Sequence, residues 1–518
     1  NNNYYIHNQL VENNRALHDD VVYYNNNCIV NIKSRSNQLI VGILYLKGTK
    51  YGFNNRQIPY YKFTPISNKY PNFIVPCKNN YKNNIYCVIK FNKWETNNKH
   101  PIGQLEYQIG LIGDIKNEYQ MLLYKHNIFP IKNKITYYNN LEIKTTPDYT
   151  VFSVDPNGCK DIDDALHITI HNEYIEIGIH IASVSEFLKD FNFNSFSSIY
   201  FPKSQINMIN DEFSYNHCSL IHKQNRKALS LILKFKDHKI IDFKFQKSIV
   251  CTHNYSYEKA EEIIKSNSNH DITKLYNFTK IYKNLSDLTS CKMIEIYMIL
   301  CNSFVAETLY NYDNQTILRT QKFKSPETYE NYFLNDYLNK TNRFAANYES
   351  NPKTTSHADL ELKYYTHFTS PIRRYIDIIN HINIINFIEE KPLIKISNLD
   401  QVNDFNKRMR KLKYDVFKIN FIHKLNDSIE SEAYITEINE TKIKVFIPEH
   451  ELEHKFFIIS DKLLESNEIN YTTESIDINQ VHLKLYQKIK ILITPLPKED
   501  KFNKKLHIKI IKPEIQLF

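Results

Sequence analysis

The residues with the clearest chemical potential form one acidic run. It places four carboxylates within ten residues, on Asp155, Asp161, Asp163 and Asp164. Like charges this close repel one another unless a cation or protons neutralise them. Carboxylate oxygens suit Mg²⁺ or Mn²⁺, and Mg²⁺ sites commonly complete their coordination with substrate phosphates. The run therefore indicates a metal-dependent site that acts on a polyanion.

Two other interpretations of the acidic run compete with a catalytic metal site. The first is a solvated loop, which is the usual fate of a run of charges. The second is a calcium loop, because acidic or amide side chains alternate along part of the run. An EF-hand loop needs Gly at its sixth position and Glu at its twelfth, where this chain has Lys160 and Leu166. The calcium interpretation is therefore poor, whereas the solvated loop stays open on spacing alone.

The segments around the acidic run predict the elements that hold it. Residues 149–154, 165–170 and 174–181 are short runs rich in β-branched side chains, and they predict β-strands. A loop held between strands has the rigidity that a metal site requires.

A second polar group occurs much later, in the stretch Thr369-Ser-Pro-Ile-Arg-Arg374. Pro371 predicts the start of a helix, with Thr369 or Ser370 as its cap. Arg373 and Arg374 would then lie in the first turn, where cations are unfavourable beside the helix dipole. A phosphate is a suitable partner for such a guanidinium fork, and ordinary surface salt bridges are the alternative.

Composition narrows the class of protein without identifying it. The 518 residues include 66 Lys and Arg against 57 Asp and Glu, a net charge of +9 that permits nucleic acid binding without requiring it. Eight scattered cysteines without a C-x-x-C pair predict reduced thiols in a cytoplasmic or other intracellular protein, and argue against zinc. No apolar run approaches the roughly 18 residues of a membrane span, so no membrane partner is expected.

The order of the predicted elements indicates an α+β protein. Short strands separated by Asn-rich turns predict small OB-type β-barrels at both ends of the chain. Between them lies a mixed sheet-and-helix centre that carries both polar groups. The predicted domains are a complete or partial barrel at 1–65, a second barrel at 66–142, a catalytic core at 143–425 and a C-terminal barrel at 426–518.

Together the two polar groups resemble those of the RNB-domain exoribonucleases, the family of RNase II, RNase R and the catalytic subunit of the eukaryotic exosome. The family pattern of Asp-Pro followed by Asp-x-Asp-Asp-Ala matches the acidic run at the right spacing. Further similar motifs occur in family order, at 180–182, 200–202, 218–220, 226–230 and 295–302. Residues 14–22 are similar to a first cold-shock barrel, 56–114 to a second, and 445–448 to the C-terminal RNA-binding barrel. Because these motifs cover nearly the whole sequence, we expect none of the 518 residues to form the PIN domain that some exosome subunits carry.

The resemblance implies a hydrolytic 3′→5′ exoribonuclease that degrades single-stranded RNA processively to nucleoside 5′-monophosphates. It assigns the metal, Mg²⁺ with Mn²⁺ as a possible substitute, to Asp155, Asp161, Asp163 and Asp164. It assigns catalytic roles to Asp163, Asp164 and Arg373. It assigns RNA binding to Tyr200, Tyr257 and Arg374. An RNA-decay complex is a possible partner, although a monomer is equally compatible with the sequence.

Several positions depart from the family pattern and leave an alternative open. Ser183 and Ile382 replace an acidic and a basic residue, Gln321 replaces a histidine, and Asp19 and Asp359 stand where glycine is usual. Met208-Ile-Asn210 also replaces Met-Leu-Pro. The alternative is a catalytically weakened or silent RNA-binding member of the family, and a deoxyribonuclease is a third interpretation.

Overall fold

The structure is a computed structural model. It describes residues 4–6, 9–11, 14–25, 28–78, 81–129, 133–138, 146–322, 337–338, 344–458, 470–472, 474–478 and 481–513. The chain forms two compact units. Unit 1 contains Asn1–Phe129, Glu327–Asn339 and Lys407–Phe518, and unit 2 contains Pro130–Pro326 and Lys340–Asn406.

Strands dominate both units, and they are numbered in chain order. The first nine are β1 (Tyr4–Ile6), β2 (Gln9–Val11), β3 (Val21–Asn25), β4 (Cys28–Ser34), β5 (Ile40–Leu44), β6 (Tyr60–Pro65), β7 (Phe73–Pro76), β8 (Ile85–Lys93) and β9 (Ile102–Leu111). The next eleven are β10 (Lys134–Tyr137), β11 (Tyr149–Asp155), β12 (Asp164–Ile170), β13 (Ile175–Ala182), β14 (Leu188–Asn192), β15 (Ile199–Phe201), β16 (Ser204–Ile206), β17 (Asn225–Lys236), β18 (Lys239–Ser256), β19 (Ile317–Thr320) and β20 (Asn347–Ser350). The last eight are β21 (Ile429–Asn439), β22 (Lys442–Ile447), β23 (Leu452–Phe457), β24 (Asn470–Tyr471), β25 (Ser475–Ile478), β26 (Val481–Lys484), β27 (Lys488–Pro495) and β28 (Leu506–Lys512).

The α-helices of the described residues lie mainly in unit 2. They are α1 (Ile115–Lys125), α2 (Tyr257–Ser266), α3 (Asp271–Lys283), α4 (Ser290–Tyr312), α5 (Tyr375–Ile388) and α6 (Leu399–Lys424). Helices α2 to α6 lie between residues 257 and 424, in the part of the chain for which the sequence predicts a mixed sheet-and-helix centre.

The N-terminal part of unit 1 contains one closed barrel. Its strand order is β5-β6-β7-β9-β8, around a core that includes Phe63, Phe73 and Ile85. The barrel runs from Ile40 to Leu111, so the predicted boundary between residues 65 and 66 falls inside it. Before it, the described residues form the two-stranded sheets β1-β2 and β3-β4 rather than a second closed barrel.

The C-terminal part of unit 1 has OB-like strands in an open, curled arrangement. Five strands pair in the order β23-β22-β21-β27-β28, and β24-β25-β26 form a separate sheet. Closure into a full barrel, which we predicted, is not seen in the described residues. The fold class itself, α+β with flanking OB-type elements, is confirmed.

A buried ion pair connects α1 with the segment before β28 inside unit 1. Lys505 and Glu118 are both 0% exposed, with Lys505 Nζ 3.0 Å from Glu118 Oε1. The Tyr86 hydroxyl and the Gly113 amide also donate to the Glu118 carboxylate, and Lys505 Nζ donates to the Pro497 carbonyl. Buried charges are tolerated only when paired and hydrogen-bonded in this way.

Unit 2 is built on a second closed barrel, with the strand order β11-β12-β13-β17-β18. The parallel pairing of β11 with β18 closes it and sets Asp155 opposite Ser256. Helices α2, α3 and α4 pack against the barrel in one apolar core, to which Leu166, Ile179 and Tyr297 belong. Among the described helices, only α4 is long and apolar enough to cross a bilayer by length and composition, and half of that apolar stretch is buried.

Helix α5 begins four residues later than predicted. Its first residue is Tyr375, and its N-cap, Arg374, provides no side-chain cap bond. The prediction of a start at Pro371 was wrong because Arg374 is extended and pairs with Ser197. The amides before it bind carboxylates: the distant Asp163 accepts from the Ile372 amide, and Asp377, in the first turn of α5, accepts from the Ser370 amide.

The neutral state of His381 in α5 predicts a pH-dependent stability. Burial lowers the pKa of His381 to about 3, while an unfolded histidine titrates near 6.5. As the pH falls below about 6.5, the unfolded chain therefore takes up the proton first. The contribution of this group is complete above that pH and is lost progressively towards pH 3.

We expect the unfolding free energy to drop by about 2 kcal/mol more between pH 6.5 and pH 5 in the unmutated protein than in His381→Gln. Glutamine has no titration in this range and keeps a donor for the Phe368 carbonyl, which His381 Nε2 contacts at 2.9 Å. Urea unfolding at the two pH values measures the difference. Equal losses of stability in both proteins would contradict the assignment.

Candidate active site

The acidic run crosses one end of the unit 2 barrel, from the last residue of β11 to the first of β12. Antiparallel pairing of these strands brings Asp155 and Asp164 to the same end. The loop between them turns at Gly158, whose φ of +81° belongs to the region that favours glycine. The Cys159 amide donates to the Pro156 carbonyl across this turn. The run is thus a fixed loop, as its flanking strands predict.

Ser219 fixes the second half of the loop. Its hydroxyl donates to the Lys160 carbonyl at 2.8 Å and accepts from the Ile162 amide at 3.0 Å. The Leu220 amide donates to the Ile162 carbonyl. These bonds leave the loop little freedom to move its carboxylates.

Arg373 comes to the acidic run from the segment before α5. Its Nε donates to Asp163 Oδ2 at 3.2 Å, and its Nη2 donates to the Ser370 hydroxyl at 2.9 Å. The other oxygen of Asp163, Oδ1, accepts from the Ile372 amide at 2.9 Å. The two polar groups of the sequence therefore meet in one site, although they are more than 200 positions apart.

A pocket of about 370 Å³ opens at this point, entirely within unit 2. Its polar lining contains all four acids of the run together with Arg373. Two tyrosines, one cysteine and apolar groups complete the wall. The lining residues are Val154, Asp155, Pro156, Cys159, Asp161, Asp163, Asp164, Tyr200, Tyr257, Ile294 and Arg373.

The electrostatics of the pocket show an excess of buried negative charge. Burial raises the pKa of Asp155 to about 6 and that of Asp163 to about 7, the latter despite the opposing effect of Arg373. Burial and the nearby Asp155 and Asp163 hold the pKa of Asp164 well above its usual range. Burial and the same carboxylates raise the pKa of the Cys159 thiol to about 12. One guanidinium therefore does not balance the acids.

The donors of the pocket fit a hard divalent cation in their chemistry. All four acids offer oxygen, and Asp155 Oδ2 is shielded from solvent without a hydrogen-bond partner in the described residues. In the part of the chain that the structure describes, no three His, Cys, Asp or Glu side chains already converge as metal ligands. Holding an ion would therefore require rotation of carboxylates that line the same pocket.

The predicted RNA-binding residues divide into two groups. Tyr200 and Tyr257 line the pocket. The Tyr200 hydroxyl donates to Asp161 Oδ2 at 2.6 Å, and Tyr257 follows Ser256, which pairs with Asp155 on the neighbouring strand. Burial raises the pKa of both phenols. Arg374 is not part of the pocket lining, and its Nη2 donates to Asp377 Oδ1 at 2.8 Å. Binding of RNA by Arg374 therefore stays a prediction without a contact in the pocket.

The departures from the family pattern lie outside the lining of this pocket. The buried Ser183 donates to the Glu186 carboxylate at 2.8 Å. Gln321 and Asp359 compensate each other, because the Gln321 amide donates to Asp359 Oδ2 and the Asp359 backbone amide donates to Gln321 Oε1.

Sequence reasoning missed the residues that position the site. Ser219 belongs to the motif at 218–220 without a predicted role of its own, Ser370 was predicted only as a possible helix cap, and Asp377 was not singled out. A serine is too common for its type to signal such a role, whereas Asp377, in the first turn of a helix and beside two arginines, could have been found from charge pairing.

Comparison with known families agrees with this geometry. The model of the RNB domain matches residues 144–287 and 273–390, and the model of the Dis3-like cold-shock domain 2 matches residues 60–127. This chain belongs to the RNB-domain exoribonuclease family. The predicted membership is confirmed.

Curated members of the RNB family match the chain at low identity. Exosome complex exonuclease RRP44 of Homo sapiens is 24% identical over an alignment 536 positions long, which covers 83% of this chain and 56% of that protein. Ribonuclease R of Chlamydia pneumoniae is 25% identical over 377 residues, 55% of each chain. The chain thus spans little more than half the length of these relatives.

Solved structures of the RNB fold resemble the whole chain. Mycoplasma genitalium RNase R in complex with ribose methylated single-stranded RNA has a TM-score of 0.73 at 17% identity, covering 96% of this chain and 95% of that one. Yeast Ssd1, described as a pseudonuclease, has a TM-score of 0.65 at 15% identity, covering 94% and 85%. These likenesses establish the fold and not the activity.

Proposed function

We propose that the protein is a magnesium-dependent 3′→5′ exoribonuclease that degrades single-stranded RNA processively to nucleoside 5′-monophosphates. The observation that carries the proposal is the pocket lined by four carboxylates, two tyrosines and Arg373, which pairs with Asp163. Carboxylates suit Mg²⁺, guanidinium suits phosphate, and aromatic rings suit unstacked bases. RNase R of M. genitalium, which shares the fold, has been solved with single-stranded RNA.

Each group of the pocket has a distinct role in phosphodiester hydrolysis. The acids of the run would hold Mg²⁺, or Mn²⁺ in its place, and bound metal would supply an activated water and stabilise the leaving 3′-oxygen. Arg373 is half-exposed, with its Nε on Asp163, so the rest of its fork can donate to the phosphoryl oxygens as charge develops. Tyr200 and Tyr257 would stack on the terminal bases, at about 1–3 kcal/mol per base without sequence preference.

The fold alone does not separate this proposal from the silent alternative, because a protein described as a pseudonuclease shares it. The arrangement of residues in the pocket favours an enzyme. All four acids and Arg373 are retained and brought together, and the departures that prompted the alternative lie outside the lining. An RNA-binding protein without turnover would have no need for uncompensated buried carboxylates.

A 5′-labelled single-stranded RNA and its DNA equivalent, each incubated with the protein and Mg²⁺, test the function. We expect a shortening ladder from the RNA, loss of the ladder with EDTA, and no ladder from Asp164→Asn although RNA binding persists. Binding without shortening by the unmutated protein would establish the silent alternative. Faster degradation of the DNA would contradict the assignment of RNA as substrate.

A further inference from the structure

The geometry points to different roles for the four acids: Asp163 is a positioning residue that holds Arg373 in the pocket, and it is not one of the groups that bind the metal. This inference rests on the proposed function and assigns one residue of that same site. It revises the role of metal ligand that the resemblance gives to Asp163.

The contacts of Asp163 supply the first argument. Its side chain is only 4% exposed, and both carboxylate oxygens are engaged by the segment that carries Arg373. Oδ1 accepts from the Ile372 amide at 2.9 Å, and Oδ2 accepts from Arg373 Nε at 3.2 Å. Both donors belong to the segment that carries Arg373, so the carboxylate of Asp163 fixes that segment against the acidic loop.

The surroundings of Arg373 supply the second argument. The Ser370 hydroxyl accepts from its Nη2 at 2.9 Å, and the Ser198 amide donates to its carbonyl at 3.1 Å. Asp163 and Ser370 thus hold the guanidinium by two adjacent edges, and the backbone is anchored separately. A fork fixed in this way presents its remaining donors in one direction, as stabilisation of a transition state requires.

Asp155 differs from Asp163 in its contacts. Its Oδ2 is buried and without a partner in the described residues. Asp164 lines the pocket, and Asp161 accepts from the Tyr200 hydroxyl at 2.6 Å and from the Cys159 thiol at 3.8 Å. Asp155 therefore has unused acceptor capacity for a cation, whereas both donors to Asp163 come from the segment that carries Arg373.

Mn²⁺ binding, followed by the EPR signal of the free ion without RNA, separates a positioning residue from a ligand. We expect Asp163→Asn to keep its affinity for Mn²⁺ within about threefold of the unmutated protein, and Asp164→Asn to lose at least about tenfold. In protein labelled with ¹⁵N-arginine, the Arg373 Nε–H should exchange with solvent faster in Asp163→Asn than in the unmutated protein. In Asp164→Asn its exchange rate should be unchanged. Equal loss of Mn²⁺ binding in both variants would overturn the inference.

A double-mutant cycle in RNA hydrolysis gives a second readout. If Asp163 acts through Arg373, Asp163→Asn lowers kcat with KM nearly unchanged, and adds no more than about a threefold effect in the Arg373→Ala background. Ser370→Ala should also be non-additive with Arg373→Ala, and it replaces Asp163→Asn in the cycle if Asp163→Asn does not fold. If the losses of kcat caused by Asp163→Asn and by Arg373→Ala multiply in the double variant, the inference is overturned. If the unmutated protein leaves RNA intact, the proposed function fails, while Mn²⁺ affinity and Nε–H exchange still test the role of Asp163.

Discussion

Arg373→Ala is expected to lower kcat for RNA hydrolysis by about 100- to 1000-fold, the range measured when a preorganised donor to a developing charge is removed. Arg373 is the only cationic side chain that lines the pocket in the described residues. Because Tyr200 and Tyr257, which we propose bind the bases, are unchanged in this variant, KM for single-stranded RNA should change little. Single-turnover cleavage of a short labelled RNA, at saturating Mg²⁺, measures the chemical step directly.

Arg373→Lys is the matched control for this prediction. Lysine keeps the positive charge, but a single ammonium cannot contact Asp163, Ser370 and a phosphoryl oxygen with the geometry of a planar fork. We therefore expect activity between that of the unmutated protein and Arg373→Ala. Activity of Arg373→Ala within about threefold of the unmutated enzyme would show that this guanidinium does not stabilise the transition state.

The second large effect concerns stability in unit 1. Glu118→Gln or Lys505→Met alone should reduce the unfolding free energy by about 3–5 kcal/mol, because each leaves an uncompensated charge or polar network in a fully buried site. The Glu118 carboxylate accepts from Lys505, Tyr86 and Gly113, so its neutralisation disturbs several donors at once. Urea unfolding followed by tyrosine fluorescence and circular dichroism measures the loss.

The double variant Glu118→Leu/Lys505→Met distinguishes a broken ion pair from a packing defect. Replacing both charges by apolar groups of similar volume is often close to neutral, so we expect it to be more stable than either single variant. The exposed pair Lys259–Glu262 in unit 2 is a comparison site, where Lys259→Met should leave the urea midpoint nearly unchanged. A double variant that loses the sum of both single effects would contradict this interpretation.

The part of the site built from neighbouring residues could be predicted from the sequence. The acidic run and its flanking strands depend on local spacing and on β-branched runs, and the strands appear within a few residues of their predicted bounds. The meeting of the run with Arg373 followed from the resemblance and not from spacing, because nothing local connects positions so far apart.

Features decided by distant partners could not be predicted. Helix α5 starts at Tyr375 because Arg374 is extended and pairs with Ser197, and the distant Asp163 accepts from the Ile372 amide, which no helix propensity of that segment indicates. Similarly, the C-terminal sheet is open because its edge strands β23 and β28, which are far apart in the sequence, do not pair in the described residues. The role of Ser219 depends on a loop nearly sixty positions away.

The central claim is that this pocket removes nucleotides from the 3′ end of RNA by metal-dependent hydrolysis. A single-stranded RNA with one label in its 3′-terminal nucleotide and a different label at its 5′ end tests it most directly, with Mg²⁺ present and products resolved over time. We predict that the 3′ label appears first, as a nucleoside 5′-monophosphate, while the 5′ label stays on chains that shorten. Release of the 5′ label first, or internal fragments that carry neither end, would contradict the account.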